Sequence, residues 1–206
     1  LGLTNEGMPR FYNERGVETL GDFNFSSSNI NFLKYSGTLD PTDVGTLTNT
    51  FRYKNFTFSA NINYEFGAVT RLRSISNTDD YSAFPRELTQ RWKKPGDEAH
   101  TDIPRIPTSY AFDQYGADNL INGFYAYSAS TARIVSTDHV RLKEISMEHT
   151  VSKTLLRRTP LKNLAVKLQA QNLMLLYSDA RLRGDDPAYM YSSSVTAPKK
   201  LILTLR

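Results

Sequence analysis

Residues 56–66 alternate between apolar and polar side chains without a break, and this pattern constrains the fold more than any other feature of the sequence. The even positions are apolar: Phe56, Phe58, Ala60, Ile62, Tyr64 and Phe66. The odd positions are polar: Thr57, Ser59, Asn61, Asn63 and Glu65. Such a period of two predicts a β-strand. Its length matches the roughly 9 to 11 residues with which a tilted strand crosses a bilayer, but a half-buried strand of a soluble sandwich alternates in the same way.

Four further segments carry the same alternation. They are residues 46–53, 140–151, 164–171 and 201–206. In the second of them the apolar positions are even up to Leu142 and odd from Ile145. A β-bulge at Lys143–Glu144 would explain this change of phase, because a bulge adds one residue to a strand. We therefore predict five strands, of which the first two are joined by a tight turn at Lys54-Asn55.

The connections between these strands alternate between short and long. Lys54-Asn55 and residues 152–163 are short, whereas residues 67–138 and 177–198 are long and rich in Ser, Asp, Gly and Pro. Outer-membrane barrels have short periplasmic turns and long extracellular loops. We expect an all-β fold, an antiparallel transmembrane β-barrel segment, with the two long loops extracellular and Lys54-Asn55 periplasmic. Helical periodicity is weak and predicts at most one short surface helix, within residues 81–93.

The residue counts exclude several kinds of active site. The sequence has no Cys and three His, namely His100, His139 and His149, none of them at a spacing typical of a catalytic or zinc motif. We expect no catalytic residue, no metal site and no cofactor. The 25 Lys and Arg are spread along the chain against 21 Asp and Glu, so we expect no nucleic-acid partner. The adjacent carboxylates Asp79-Asp80 and Asp185-Asp186 lack the spacing of a calcium loop and are expected to be solvated.

Several motifs of the chain resemble those of one family of membrane proteins. In chain order they are Gly7-Met8-Pro9-Arg10-Phe11-Tyr12, Gly37-Thr38-Leu39-Asp40-Pro41, residues 49–56, Arg91-Trp92-Lys93-Lys94-Pro95-Gly96-Asp97 with Thr101-Asp102-Ile103-Pro104, residues 140–146, residues 169–173 and Asp185-Asp186-Pro187. On these motifs the sequence resembles the C-terminal part of the SusC/RagA-like TonB-dependent transporters of Bacteroidota outer membranes. It departs from the family at His149, where an aromatic is usual, and at Ser152, where a proline is usual, so we expect a looser periplasmic edge there.

The resemblance implies that residues 1–206 are the C-terminal part of a TonB-dependent receptor barrel, with the plug domain absent. A plugged barrel of about 22 strands is the size class of such transporters. Family members end in an aromatic or apolar residue, so we expect a few residues to follow Arg206. Independently of the family, five strands would leave two open edges, which hydrocarbon does not tolerate. We therefore expect the remainder of the barrel and outer-membrane lipid as partners.

The family also implies a function without enzymatic activity. Its members import glycans (oligosaccharides) or peptides, are driven by the TonB complex through the missing N-terminal region, and work with a SusD-like surface lipoprotein that covers the extracellular mouth. The alternative that the residues leave open is a soluble β-sandwich that acts as a carbohydrate-binding module. A membrane strand exposes its apolar face whereas a sandwich buries it, so the exposure of Phe58, Ala60 and Ile62 distinguishes the two.

Two sets of residues are candidates for contact with a solute or a partner. The polar strand positions expected to face the lumen are Thr57, Ser59, Asn61, Asn63, Glu65, Lys167, Gln169 and Gln171. The loop aromatics expected to contact a ligand or the lipoprotein are Trp92, Tyr110, Tyr115, Phe124, Tyr125 and Tyr127. Aromatic faces pack against the apolar CH groups of sugars while their rims stay wet, so the second set is suited to an extracellular site.

Overall fold

The computed structural model describes residues 2–13, 15–22, 33–72, 86–190 and 197–206. The chain forms two compact units. We call Leu1–Ser36 with Arg71–Val135 the helical unit, and Gly37–Thr70 with Ser136–Arg206 the sheet unit. Most of residues 67–138, the long segment predicted from the sequence to be a loop, therefore belongs to a folded unit that also contains the N-terminal segment.

The described residues form more strand than helix. The strands are β1 (Gly2–Leu3), β2 (Pro9–Tyr12), β3 (Glu18–Thr19), β4 (Asp43–Tyr53), β5 (Phe56–Phe66), β6 (Val69–Arg71), β7 (Ile134–Ser136), β8 (His139–Thr150), β9 (Ala165–Ser178) and β10 (Lys200–Leu205). The α-helices are α1 (Ser109–Tyr115), α2 (Ala117–Ala129) and α3 (Lys153–Leu156). Short 3₁₀ helices span Arg86–Gln90, Asp97–Ala99, Thr131–Arg133, Ala180–Leu182 and Pro187–Tyr189. This content confirms the mainly β, antiparallel class. Within the described ranges, every helix is too short or too polar to cross a membrane.

The sheet unit is built on one antiparallel sheet of five strands in the order β10-β9-β8-β5-β4. These are the five strands that the alternation predicts. At the turn after β4, Tyr53 pairs with Phe56, and Lys54 adopts a left-handed φ of 52°. Because neighbouring strands run in opposite directions, this turn and residues 151–164 lie at one end of the sheet. The connections from β5 to β8 and from β9 to β10 leave from the other end.

The predicted bulge in β8 is confirmed. Glu144 pairs with Asn61 of β5, and Leu142 pairs with the next residue, Ile62, so Lys143 is the extra residue. The extra residue changes, from even to odd, the positions whose side chains lie on a given face of the sheet. It therefore keeps the apolar residues of β8 on one face of the sheet on both sides of Lys143.

Strand β9 is distorted at the same level as β8. Asn172 and Leu173 lie between the residues of β9 that pair with Glu144 and Leu142. Asn172 adopts a positive φ of 55°, and its side-chain amide donates a hydrogen bond of 3.2 Å to the carbonyl oxygen of Pro198. Two of the sequence motifs, residues 140–146 and 169–173, thus meet at this paired irregularity.

Helices α1 and α2 correct the sequence prediction, which allowed at most one short helix within residues 81–93. In that window the described residues form a 3₁₀ helix, Arg86–Gln90, and residues 81–85 lie outside the described part of the chain. The buried positions of α2 are Leu120, Gly123, Phe124 and Tyr127. This spacing is helical, but Asn, Gly and Ser between the apolar residues have low helix propensity. Packing rather than propensity therefore stabilises α2.

The core of the helical unit forms between α1, α2 and the N-terminal segment. Its buried residues are Met8, Ala111, Leu120 and Phe124, and Leu20 and Tyr115 pack against them. Gly123 permits this packing because a Cβ there would lie 2.6 Å from the carbonyl oxygen of Leu20. Any larger residue would move α2 away from the N-terminal segment.

Candidate functional site

The polar strand residues singled out by the sequence lie on one face of the five-stranded sheet. Three rows cross β5, β8 and β9: Thr57–Glu148–Lys167, Ser59–Ser146–Gln169 and Asn61–Glu144–Gln171. Directly paired residues of an antiparallel sheet point to the same side. Asn63 and Glu65 continue the face along β5, opposite Arg141 and His139. The eight candidates therefore share a face, and its contact with a lumen stays a prediction.

Hydrogen bonds between side chains join the strands across this polar face. The Asn61 amide donates to Thr48 Oγ1 at 3.0 Å, and the Gln171 amide donates to Glu144 Oε2 at 3.0 Å. Glu144 was not among the candidates, although the alternation places it on the polar side once the bulge is located. The face thus presents amide, hydroxyl and carboxylate groups suited to contact with water or a polar solute.

The opposite face of the same sheet is apolar and exposed. Its exposed side chains include Leu47, Phe51, Tyr53, Phe56, Phe58, Tyr64, Ile145, Met147, Leu168, Leu201, Leu203 and Leu205. Phe51 is 61% exposed and Phe58 is 41% exposed, whereas Ser146 on the polar face is 6% exposed. Ala60 and Ile62 are half-buried, and no described residue of this face is buried. A β-sandwich would bury such a face against a second sheet, so the exposure speaks against that alternative.

The six aromatic candidates of the long loop differ in burial. Trp92, Phe124 and Tyr127 are buried, Tyr115 is half-buried, and Tyr110 and Tyr125 are exposed. The Tyr115 hydroxyl donates a hydrogen bond to the Glu6 carboxylate, and this bond raises the pKa of Tyr115 to about 12. Contact of these residues with a ligand or partner stays a prediction, and the accessible rings are those of Tyr110 and Tyr125.

Trp92 brings three of the sequence motifs together within the helical unit. Its indole N–H donates to Glu98 Oε2 at 2.9 Å, and its backbone N–H donates to the carbonyl oxygen of Ile103 at 2.9 Å. Gly7 lies against the ring with a φ of 75°, and a Cβ at Gly7 would lie 2.4 Å from Trp92 Cδ2. The position of the Trp92 ring therefore requires a glycine at position 7, in a separate motif.

A buried ion pair of the helical unit was not predicted from the sequence. Arg133 is 1% exposed, and its two terminal nitrogens each lie 2.6 Å from one carboxylate oxygen of Glu87. The guanidinium also lies 5.4 Å from the ring centroid of Tyr127. Buried charges require a partner of this quality, but nothing local in the sequence links two residues 46 positions apart.

The pKa of Tyr127 predicts how the helical unit responds to alkali. Burial raises the pKa of Tyr127 to about 12, compared with about 10 for an exposed tyrosine. A raised folded-state pKa contributes stability that is complete below about pH 10 and is lost as pH rises through about 12. A difference titration at the tyrosinate absorbance band, between the protein and Tyr127→Phe, should show one group ionising near pH 12. A midpoint near pH 10 would contradict the burial of this hydroxyl.

Asp186 corrects the expectation that both acidic pairs are solvated. Its largely buried carboxylate pairs with Arg141 of β8 and accepts the N–H of Ala188 at 3.1 Å, at the start of the 3₁₀ helix Pro187–Tyr189. Asp185 is exposed, as expected, and Asp79-Asp80 lies outside the described residues. In the described ranges, no three His, Asp or Glu side chains form a group that could hold a metal ion.

Comparison with known proteins finds similarity in structure only. No protein-family model and no curated protein matches the chain. Among solved structures it is similar to the RagAB peptide importer in the open-open state, with a TM-score of 0.60 and 16% identity over 100% of this chain and 21% of that chain. A structure of the RagAB peptide transporter gives 0.58 and 17%, and the importer in the closed-closed state gives 0.57 and 17%, each over 91% of this chain and 19% of that chain.

The chain therefore spans about a fifth of the length of the RagAB chains that it matches. At sequence identities of 16% and 17%, the match shows a similarity of fold alone. The likeness agrees with the resemblance carried by the motifs, and it shows that these residues adopt a fold found within a transporter.

Proposed function

We propose that the chain is part of the barrel wall and outer loops of a SusC/RagA-like TonB-dependent importer. The observation that carries this proposal is the distribution of side chains on the five-stranded sheet, whose apolar face presents large exposed side chains and whose polar face is half-buried or buried along β5, β8 and β9. In water, a large exposed apolar patch is unfavourable. In an outer-membrane barrel, apolar side chains face lipid and polar side chains face the lumen. The two faces support a lipid side and a lumen side.

Strand length supports the same proposal. Strands β4 and β5 have 11 residues each, β8 has 12 and β9 has 14. These lengths reach or exceed the roughly 9 to 11 residues that a tilted strand needs to cross the hydrocarbon core. Strands of soluble proteins have about 5 to 6 residues, so four neighbouring strands of this length favour a membrane environment.

The edges of the sheet imply further strands. In the described residues β4 and β10 each pair on one side only. An unpaired backbone group in hydrocarbon costs several kcal/mol, so other strands of the protein pair with both edges. A barrel of about 22 strands with a plugged lumen is the size class of active importers. The plug and the contact with TonB then belong to parts of the protein outside this chain.

The imported solute is a glycan or a peptide, and the similarity to a peptide importer favours a peptide. The polar face would line the solute path, with Asn61, Gln169 and Gln171 near its centre. A SusD-like lipoprotein would cover the extracellular mouth, where the exposed rings of Tyr110 and Tyr125 could contact it. The outer membrane is the location that these assignments require.

Cysteine labelling in whole cells tests the location and the orientation. Residues 1–206 contain no Cys. In the full-length protein, Asn55→Cys and Asp185→Cys would each place a cysteine at a different end of the sheet. We expect an impermeant maleimide to label Asp185→Cys in intact cells, because its connection is extracellular. Asn55→Cys should be labelled only after the outer membrane is permeabilised.

The permeabilised sample is the control for reactivity, since both cysteines lie at exposed positions. Labelling of Asn55→Cys but not Asp185→Cys in intact cells would show that the sheet has the opposite orientation in the membrane. Recovery of the protein in the soluble fraction would refute the barrel assignment.

A further inference from the structure

A cleft in the helical unit is lined by cations and by no acidic residue. It is an open cleft of about 540 Å³ that is lined by Arg91, Trp92, Lys93 and residues 105–108. The cations are Arg91, Lys93 and Arg105, and none of them takes part in the ion pairs found among the described residues. Like charges around one cleft repel one another, so an anion in the cleft would relieve this repulsion.

The carboxylates nearest in sequence are engaged outside the cleft. Asp97 Oδ2 accepts the backbone N–H of Lys93 at 3.0 Å. Glu98 Oε2 accepts the indole N–H of Trp92 at 2.9 Å and the backbone N–H of Gly96 at 2.8 Å. The contact of Asp97 with Lys93 is thus made to its backbone and leaves the ammonium group of Lys93 without an ion pair among the described residues. Neither guanidinium group forms an ion pair with a carboxylate of the described residues, although Arg105 Nη1 donates to the backbone carbonyl oxygen of Glu6 at 3.4 Å.

Both guanidinium groups are held in place before any ligand arrives. Arg105 lies 5.8 Å from the ring centroid of Trp92 and donates to Thr108 Oγ1 at 3.1 Å. Arg91 Nη1 donates to the carbonyl oxygen of Leu88 at 2.9 Å. A guanidinium has five N–H donors, so each group retains donors for a ligand. Fixing the donors in advance reduces the entropy cost of binding.

We propose that this cleft binds an acidic side chain of the imported solute, the carboxylate of an Asp or Glu residue of a peptide. The planar guanidinium group of an arginine matches the geometry of a carboxylate and can bind it through two parallel hydrogen bonds. The cleft lies within the roughly 300 to 1,000 Å³ of ligand pockets. The inference rests on the proposed import function and deepens it, since it assigns acidic peptides as the preferred solute.

Binding of a defined acidic peptide by the full-length protein tests the inference. We would measure fluorescence anisotropy of labelled tetraglutamate with purified protein in detergent, for the unchanged protein, Lys93→Glu and Arg91→Gln. Lys93→Glu should weaken binding at least about tenfold, because it removes one cation and introduces repulsion. Arg91→Gln should weaken it by a similar factor. Raising the salt concentration should weaken binding by the unchanged protein, since the attraction is screened.

Arg15→Gln is the matched control, because Arg15 is an exposed arginine of the same unit that does not line the cleft. Its affinity for tetraglutamate should equal that of the unchanged protein. The inference would be overturned if all the variants bound tetraglutamate with equal affinity, or if tetraalanine bound as tightly as tetraglutamate. Heat-modifiable migration of the same preparations reports on barrel assembly. A protein that forms a barrel but ignores tetraglutamate contradicts the cleft alone, whereas one that forms no barrel contradicts the proposed function.

Discussion

Ile62→Arg should strongly reduce assembly of the full-length protein in the outer membrane. The ladder partners of Ile62 are Leu47 and Leu142, so its side chain lies on the apolar face. Near the bilayer midplane an arginine on the lipid face costs about 2 to 4 kcal/mol. At about 1.4 kcal/mol per factor of ten, the ratio of folded to unfolded protein should fall roughly 30- to 1,000-fold. The heat-modifiable folded form in outer-membrane fractions measures this loss.

Asn61→Arg, one position earlier, is the matched control. It loses the 3.0 Å hydrogen bond to Thr48 but places its charge on the polar face, opposite Glu144. We expect nearly normal assembly, because a lumen position is hydrated and Glu144 attracts the new cation. If both variants assembled equally well, the assignment of the faces would be wrong. If only Asn61→Arg failed, the polar face would be the buried one and the soluble sandwich would regain support.

The five-stranded sheet could be predicted because strand alternation is a local property of the sequence. A register shift of one residue would turn every side chain of a strand to the other face, so a regular pattern such as residues 56–66 fixes the face of each residue. The same reasoning located the bulge, since the apolar positions change from even to odd around Lys143. The shared face of Thr57, Ser59 and Asn61 with residues of β9 follows from antiparallel pairing.

The helical unit could not be predicted in this way, because tertiary contacts determine it. Helix α2 is stabilised by the burial of Leu120, Phe124 and Tyr127, although its Asp, Asn, Gly and Ser residues have low helix propensity. The contact of Gly7 with Trp92 joins residues far apart in the chain. The motifs did mark both positions, but a motif indicates that a residue matters and gives no partner for it.

The positions of Asp186 and Glu144 also could not be predicted from the local sequence alone. Asp186 belongs to a motif and was expected to be solvated, because Asp185-Asp186 lacks the spacing of a calcium loop. In the structure it pairs with Arg141, a member of another motif. Pairing of charged residues from different motifs would have been the signal for this contact. Glu144 was missed for a different reason, since its face depends on the exact position of the bulge.

Glu87→Gln should destabilise the helical unit more than any surface change. It leaves the buried guanidinium of Arg133 without its charged partner, and breaking a buried pair in this way costs about 3 to 5 kcal/mol. Local opening of α2, measured by hydrogen exchange of residues 117–129 in the full-length protein, should accelerate roughly 100- to 5,000-fold. The strands of the sheet unit provide an internal reference, because the substitution lies in the helical unit.

The surface pair Arg10–Glu18 is the control for the charge change itself. Its closest atoms are 4.0 Å apart and both side chains are about half exposed, so Glu18→Gln should alter the opening free energy by less than about 1 kcal/mol. Joint replacement by apolar residues, Glu87→Leu with Arg133→Met, should restore much of the protection, since the cost of Glu87→Gln arises from the uncompensated charge. Exchange in α2 that is equally fast in Glu87→Gln and Glu18→Gln would show that the buried pair does not hold the helical unit together.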